Sequence, residues 1–144
     1  MPRITLTENV KFSCEQMYGL VVDVDRYPEF LPWCVAARRY DDQEGQFMAE
    51  LTVSFKGIRE SFRTQDRYVP NKRVDIALRR GPFRHLESSW VFAELPNGNG
   101  ARVDFSIDFQ FKSRLMNMTI GPVFTHAAKQ MVSAFRKRAN MLYP

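Results

Sequence analysis

The sequence predicts an α+β fold in which a curved antiparallel sheet of seven strands wraps around a long C-terminal helix. Two observations predict it. Seven segments between residues 3 and 112 are typical of strands, and only residues 113–142 carry a long helical pattern of apolar residues. One amphipathic helix must therefore cover most of one sheet face. Because a single helix covers a curved sheet incompletely, we expect a hydrophobic cavity between them.

The first elements can be read from residues 3–33. Alternating apolar residues predict a strand over 3–12. Ser13, followed three residues later by Gln16, predicts a capping box and a short helix. Pro28 and Pro32 forbid a long second helix, so we expect only one helical turn before the next strand.

Six further strands follow, separated by turns rich in Gly, Pro and Asn. They are predicted at about 33–41, 46–55, 58–69, 73–80, 85–95 and 101–112. Within each segment the apolar residues share one parity and mostly polar residues the other, which is typical of an antiparallel sheet with one covered face. The short connections predict a meander that curls around the last helix, the helix-grip architecture.

The helical pattern over 113–142 contains Gly121-Pro122. Proline removes a backbone hydrogen bond inside a helix but fits a first turn. Either the helix is kinked or restarted there, which would shape one mouth of the cavity, or Gly121-Pro122 simply joins two helices. Both interpretations stay open.

The bulk composition sets the class of protein. The 144 residues suit one domain over 1–144. The formal net charge of +5 permits an anionic partner, RNA or a phospholipid surface, and the basic residues cluster near 38–39, 79–84 and 136–138. Solvated faces and compensation of the helix dipole are the preferred explanation of these clusters, and DNA is not expected as a partner. The first ten residues are unlike a signal peptide, so we expect a cytoplasmic location, with peripheral contact to the inner membrane left open.

Signals of catalysis are few. His85 and His126 are far apart in the sequence, and both are expected at the surface or its boundary. Cys14 and Cys34 lack metal-ligand spacing and are expected to be small buried hydrophobes. No common hydrolase, metalloprotease or nucleotide-binding motif is present. We therefore expect no catalytic residue, no metal and no required cofactor.

Two polar residues interrupt the apolar parity of the covered face. Glu60 shares the parity of Ile58 and Phe62, and a buried carboxylate must be paired or open to water. We expect it either at the cavity rim, where it would orient a ligand head group, or in a salt bridge at the sheet edge. Ser88 precedes Trp90 at the same parity and could donate to a ligand carbonyl.

Four segments together carry a family resemblance. They are VDVDRYPEFLPWC at 22–34, GPFRHLESSWVF at 81–92, FSIDFQFKS at 105–113 and AFRKRA at 134–139. Over its whole length the chain resembles the START-like, polyketide cyclase-like superfamily. It is most similar to the branch that holds the coenzyme Q-binding respiratory proteins and the bacterial ribosome association toxins.

The resemblance implies a deep hydrophobic cavity between the sheet and the C-terminal helix, with ubiquinone or a related isoprenoid lipid as its ligand. Read together with the apolar parity of the strands, it predicts the residues that line the cavity. These are Phe30, Leu31, Trp33, Leu51, Phe62, Leu78, Trp90, Phe92, Phe105, Phe109, Phe124, Met131 and Phe135.

Three functions stay open at this point. The leading hypothesis is non-enzymatic binding of a hydrophobic small molecule in support of respiratory electron transport. The second is a toxin-like protein that binds the large ribosomal subunit and blocks subunit association. The third is a polyketide cyclase or aromatase, for which the sequence offers no acid–base constellation.

Overall fold

The computed structural model describes residues 3–143. Its elements, in chain order, are β1 (Arg3–Val10), α1 (Cys14–Val22), a 3-10 helix (Val24–Glu29), β2 (Cys34–Gln43), β3 (Gln46–Phe55), β4 (Ile58–Val69), β5 (Arg73–Arg80), β6 (Phe83–Glu94), a short 3-10 turn (Pro96–Gly98), β7 (Ala101–Phe111), α2 (Arg114–Thr119), α3 (Gly121–Lys129) and α4 (Met131–Leu142). Every predicted strand is present. The first strand ends two residues earlier than predicted, and β6 begins two residues earlier.

The seven strands form one antiparallel sheet in the order β1-β7-β6-β5-β4-β3-β2. Strands β2 to β7 form the predicted meander. Strand β1 pairs with β7, so β1 and β2 lie at opposite edges and are joined by α1 and the 3-10 helix. The C-terminal helices pack against one face, which we call the inner face. The predicted helix-grip fold is confirmed.

The helix α1 begins as its sequence predicts. The Ser13 hydroxyl accepts a hydrogen bond from the Gln16 backbone N–H at 3.0 Å, and the Gln16 side chain accepts one from the Ser13 N–H at 3.0 Å. These bonds satisfy donors that a helix start otherwise leaves unpaired. The helix buries Met17, Leu20 and Val21 against the core.

The C-terminal helical region runs in three segments rather than one. Pro122 lies in the first turn of α3, so the helix restarts there, as one of the two interpretations predicted. A second joint at Gln130 was not predicted: its N–H donates to the carbonyls of both Ala127 and Ala128, which tightens the last turn of α3. Within residues 3–143, none of the helices has the length and apolarity needed to cross a bilayer.

Candidate ligand-binding cavity

An apolar cavity of about 90 Å³, partly open to solvent, lies between the inner face and helices α3 and α4. Its walls come from the 3-10 helix, the residue before β2, strands β3 to β7 and the two helices. The lining residues are Val24, Tyr27, Trp33, Ala49, Leu51, Phe55, Phe62, Thr64, Asp66, Ile76, Leu86, Ser88, Trp90, Phe105, Ile107, Phe124, Ala127, Ala128 and Met131. The volume is below the roughly 300–1,000 Å³ of typical ligand pockets.

Part of the predicted lining lies in this wall. Seven of the predicted residues do so: Trp33, Leu51, Phe62, Trp90, Phe105, Phe124 and Met131. They come from distant parts of the chain, and the curled sheet and the helices bring them to one cavity. Their role in holding a ligand stays a prediction.

The remaining predicted residues do not line this cavity. These are Phe30, Leu31, Leu78, Phe92, Phe109 and Phe135. The rings of Phe30 and Phe135 pack with their centres 5.0 Å apart. Phe92 and Phe109 are buried on β6 and β7, and Leu78 is half-buried on β5. All six side chains, Leu31 included, pack in or against the hydrophobic core around the cavity.

An apolar groove of about 280 Å³ lies on the outer side of one cavity wall. Trp33, Phe55, Ala127 and Met131 line both the cavity and the groove. The rings of Trp33 and Phe55 stack with their centres 6.0 Å apart. Leu31 lies in the groove. The cavity and the groove are therefore neighbours that share four lining side chains.

Asp66 places a carboxyl group in the otherwise apolar wall. Its side chain is 4% exposed, and its Oδ1 accepts a hydrogen bond from the Thr64 hydroxyl at 2.7 Å. Burial raises the pKa of Asp66 to about 6, although the Thr64 hydrogen bond and the charge of Arg39 act in the opposite direction. The neutral acid is therefore accessible close to neutral pH.

The sequence analysis did not identify Asp66 or Thr64. Both share the parity of Phe62 and Tyr68, which marks the inner side of β4. The signal was thus present in the alternation, and it applied to Asp66 as much as to Glu60. The alternation of apolar and polar residues does not show how far along the strand the covered part extends.

Of the two polar residues predicted at the rim, only Ser88 lines the cavity. Its hydroxyl donates to the Ser106 carbonyl at 2.9 Å. Glu60 instead lines an open depression at the sheet end, together with Arg80. The reason is the register: β4 pairs with β5 only from Arg63 onward, so the carboxylate lies where water reaches the strand.

The histidines and cysteines lie outside the cavity wall. His85 Nε2 is 3.2 Å from Asp108 Oδ1, and His126 is exposed at the outer groove. Cys34 is buried, and burial raises the pKa of its thiol to about 11, while Cys14 is half-buried. Across residues 3–143, no three His, Cys, Asp or Glu side chains come together in a way that could hold a metal ion.

The fold and the cavity together define a START-like helix-grip domain with an apolar interior. Residues 10–136 match the family model described as "Polyketide cyclase / dehydrase and lipid transport". The chain belongs to this family.

Two relatives and one solved structure place the chain more closely. It is 39% identical over 143 residues to the ribosome association toxin RatA of Escherichia coli K12, an alignment that covers 99% of this chain and 90% of that protein. It is 36% identical over 135 residues to the mitochondrial coenzyme Q-binding protein COQ10 homolog B of Xenopus laevis, covering 92% of this chain and 55% of that protein. A START superfamily protein from Mycobacterium smegmatis superimposes with a TM-score of 0.80 at 20% identity, covering 97% and 98% of the two chains. The predicted resemblance is confirmed.

Proposed function

We propose that this protein binds a hydrophobic small molecule without catalysing its conversion. The finer proposal is that the ligand is ubiquinone or a related isoprenoid lipid, held in support of respiratory electron transport. The observation that supports binding is the apolar cavity, which shares four lining side chains with an apolar surface groove. The similarity to a protein named for coenzyme Q binding supports the choice of ligand.

The size of the cavity requires that it opens when the ligand enters. Its volume of about 90 Å³ is smaller than the roughly 150 Å³ cavity that admits benzene in an engineered protein. Met131 lies between cavity and groove, and methionine is the most adaptable of the apolar side chains. A shift of Met131 would join the two spaces and bring them into the range of typical ligand pockets.

Burial of apolar surface is the source of affinity in this proposal. Each isoprene unit that leaves water would bury on the order of 100 Å² and contribute roughly 2.5 kcal/mol. The groove provides apolar contact for the tail of a molecule whose head occupies the cavity. We therefore expect affinity to increase with the number of isoprene units until the groove is filled.

The test is a solvent extract of the protein purified from a quinone-producing host, analysed by mass spectrometry. Ala127 lines both spaces, so Ala127→Leu would fill them, whereas Ala77 is exposed on β5 and Ala77→Leu is the matched control. We expect quinone in the wild type and in Ala77→Leu, and little in Ala127→Leu. Overpacking costs about 1–3 kcal/mol, so thermal unfolding must show that the filled variant is folded. Absence of any lipid, together with no binding of added quinone, would contradict the proposal.

Binding to the large ribosomal subunit is the second candidate. It is supported by the relatives named ribosome association toxin and by one basic cluster. Arg38 and Arg39 pair with carboxylates, as do Arg136 and Arg138. Among the side chains that the structure describes, those of the 79–84 cluster form no salt bridge. Arg79 donates a hydrogen bond to Gln65, whereas Arg80 and Arg84 are exposed and available for RNA phosphates.

Cosedimentation with ribosomes tests this candidate. Binding through phosphates should fall steeply as salt rises. Replacing Arg80 and Arg84 by Ala should weaken it at low salt, while replacing Arg26, which pairs with Asp23 and Glu29, serves as the control. If the wild type stays out of the ribosomal fraction at low salt, this candidate is excluded.

The cyclase or aromatase alternative comes from the description of the family. The cavity holds one carboxyl group, and both histidines lie outside its wall. We propose that this carboxyl binds rather than catalyses.

A further inference from the structure

Three polar side chains interrupt the apolar wall of the cavity, and they differ in how far their hydrogen bonds are satisfied. The Ser88 hydroxyl donates to the Ser106 carbonyl at 2.9 Å, and the Thr64 hydroxyl donates to Asp66 at 2.7 Å. Thr64 is the one hydrogen-bond partner of the Asp66 carboxyl within residues 3–143. A carboxylate has about four acceptor positions, so most of this capacity is unused.

The neighbours of Asp66 do not supply the missing partners. Its register partners on β3 and β5 are Phe47 and Ile76, both apolar. From the 3-10 helix, the Tyr27 hydroxyl donates to the Val21 carbonyl instead.

From β2, Arg39 attracts the Asp66 charge but is engaged elsewhere. Its Nε donates to Asp42 Oδ1 at 2.9 Å, its Nη1 donates to the Val22 carbonyl at 3.0 Å, and its guanidinium lies 4.0 Å from the centre of the Phe47 ring. Burial in these surroundings raises the pKa of Asp66 to about 6. The carboxyl group thus exchanges its proton in the physiological range and, when protonated, offers an O–H donor to the cavity.

We propose that Asp66 receives the polar end of the ligand, and that in its protonated form it donates a hydrogen bond to a carbonyl oxygen of an otherwise apolar molecule. This inference rests on the proposed function. A ligand that seals the cavity removes the remaining water, which disfavours the carboxylate further. Binding of a carbonyl ligand is therefore coupled to uptake of one proton when the free protein is ionised.

The same arrangement selects among apolar ligands. A hydrocarbon that covers Asp66 leaves its O–H or its charge without a partner, which is costly in a water-free site. A ketone or quinone of equal size supplies the acceptor. Asp66 is therefore a specificity-determining residue, while the apolar wall supplies most of the affinity.

Calorimetric titration of the full chain with two matched probes tests the proposal. One probe is an isoprenoid ketone of two or three isoprene units, and the other is the hydrocarbon with the same carbon skeleton. Between about pH 6 and about pH 8, we expect the affinity for the ketone to fall up to about tenfold per pH unit, and the hydrocarbon to bind more weakly than the ketone at each pH because it offers the O–H no acceptor. Trp33 and Trp90 line the cavity, so quenching of their fluorescence by a short-chain ubiquinone gives an independent reading.

Three variants locate the effect. Asp66→Asn keeps a neutral hydrogen-bond donor, so it should bind the ketone as the wild type does at low pH and lose the pH dependence. Asp66→Leu should bind ketone and hydrocarbon alike. His126→Gln must retain the pH dependence, because His126 lines the outer groove and histidine changes charge in the same range.

The outcomes separate this inference from the proposed function. If both probes bind with equal affinity at every pH, or if Asp66→Asn keeps the pH dependence of the wild type, Asp66 does not receive the ligand, although the cavity still binds. If neither probe binds at any pH, the proposed function fails and this inference fails with it.

Discussion

Two positions on the inner side of strand β4 each hold a carboxyl group, but in opposite environments. Glu60 lies near the start of β4, half-buried beside Arg80 in an open depression. Asp66, six residues further along, is 4% exposed in the wall of an apolar cavity. Both residues have the same parity along β4, so parity cannot explain why one is accessible to water and the other is buried.

The width of the sheet at each position explains it. Glu60 has only β3 as a neighbour, opposite Val53, because the β4–β5 ladder starts at Arg63. Asp66 lies between Phe47 and Ile76, with strands on both sides. Alternation therefore determines which face of the sheet a residue occupies. The number of neighbouring strands and the cover by the helices determine how accessible that residue is to water.

The largest contrast should come from a cation at each position. Asp66→Lys places an unpaired charge in the cavity wall, and we expect it to lower the free energy of unfolding by about 3–5 kcal/mol. Glu60→Lys makes the same change of charge near water and should cost less than about 1 kcal/mol. Urea denaturation near neutral pH measures both. Equal, small losses would mean that water already fills the cavity around Asp66.

The second contrast is a pH profile, for which Asp66→Asn and Glu60→Gln are matched variants. The pKa of folded Asp66 is raised from 3.8 to about 6, so between these values the folded protein holds more protons than the unfolded chain. Stability from this group is complete at low pH and is lost as pH rises through about 6. The shift corresponds to about 3 kcal/mol.

We therefore expect Asp66→Asn to be more stable than the wild type above about pH 6, by up to about 3 kcal/mol, and the difference to vanish near about pH 4. Glu60→Gln should change the profile little. Thermal unfolding over this range, with the wild-type curve subtracted, gives the result. A difference that is constant with pH would show that the carboxyl of Asp66 keeps its usual pKa in the folded protein.

The fold could be predicted almost completely, because its signals are local. Alternation located every strand, and the Ser13 capping box located α1. The joint at Gln130 could not be found, since no proline or glycine marks it.

The candidate site could be predicted only in part. The family resemblance, read together with apolar parity, placed Phe62 and Trp90 in the cavity wall but could not separate wall residues from other core residues, such as Phe135. Asp66 was missed because its significance depends on pairing with β3 and β5, which comes from distant parts of the chain. Cavity volume depends on side-chain packing and has no signal in the sequence.

The smallest effect, and one of opposite sign, should come from Glu50 on the outer face. Its carboxylate accepts hydrogen bonds from Arg38 Nε at 2.8 Å and Arg63 Nε at 2.9 Å, and these arginines lower the pKa of Glu50. A lowered pKa contributes stability above the unfolded value and loses it as pH falls. Glu50→Gln should therefore destabilise near neutral pH, by less than about 1 kcal/mol because water screens the pairs, and have no effect in strong acid.

High salt separates the two carboxylates further. Screening should abolish the small loss in Glu50→Gln, because its pairs are partly exposed, and leave the gain in Asp66→Asn in place, because desolvation and not pairing causes it. Urea midpoints of both variants at low and high salt measure this. If the two variants responded to salt alike, the cavity and the outer face would not differ in access to water, and the contrast along β4 would lose its physical basis.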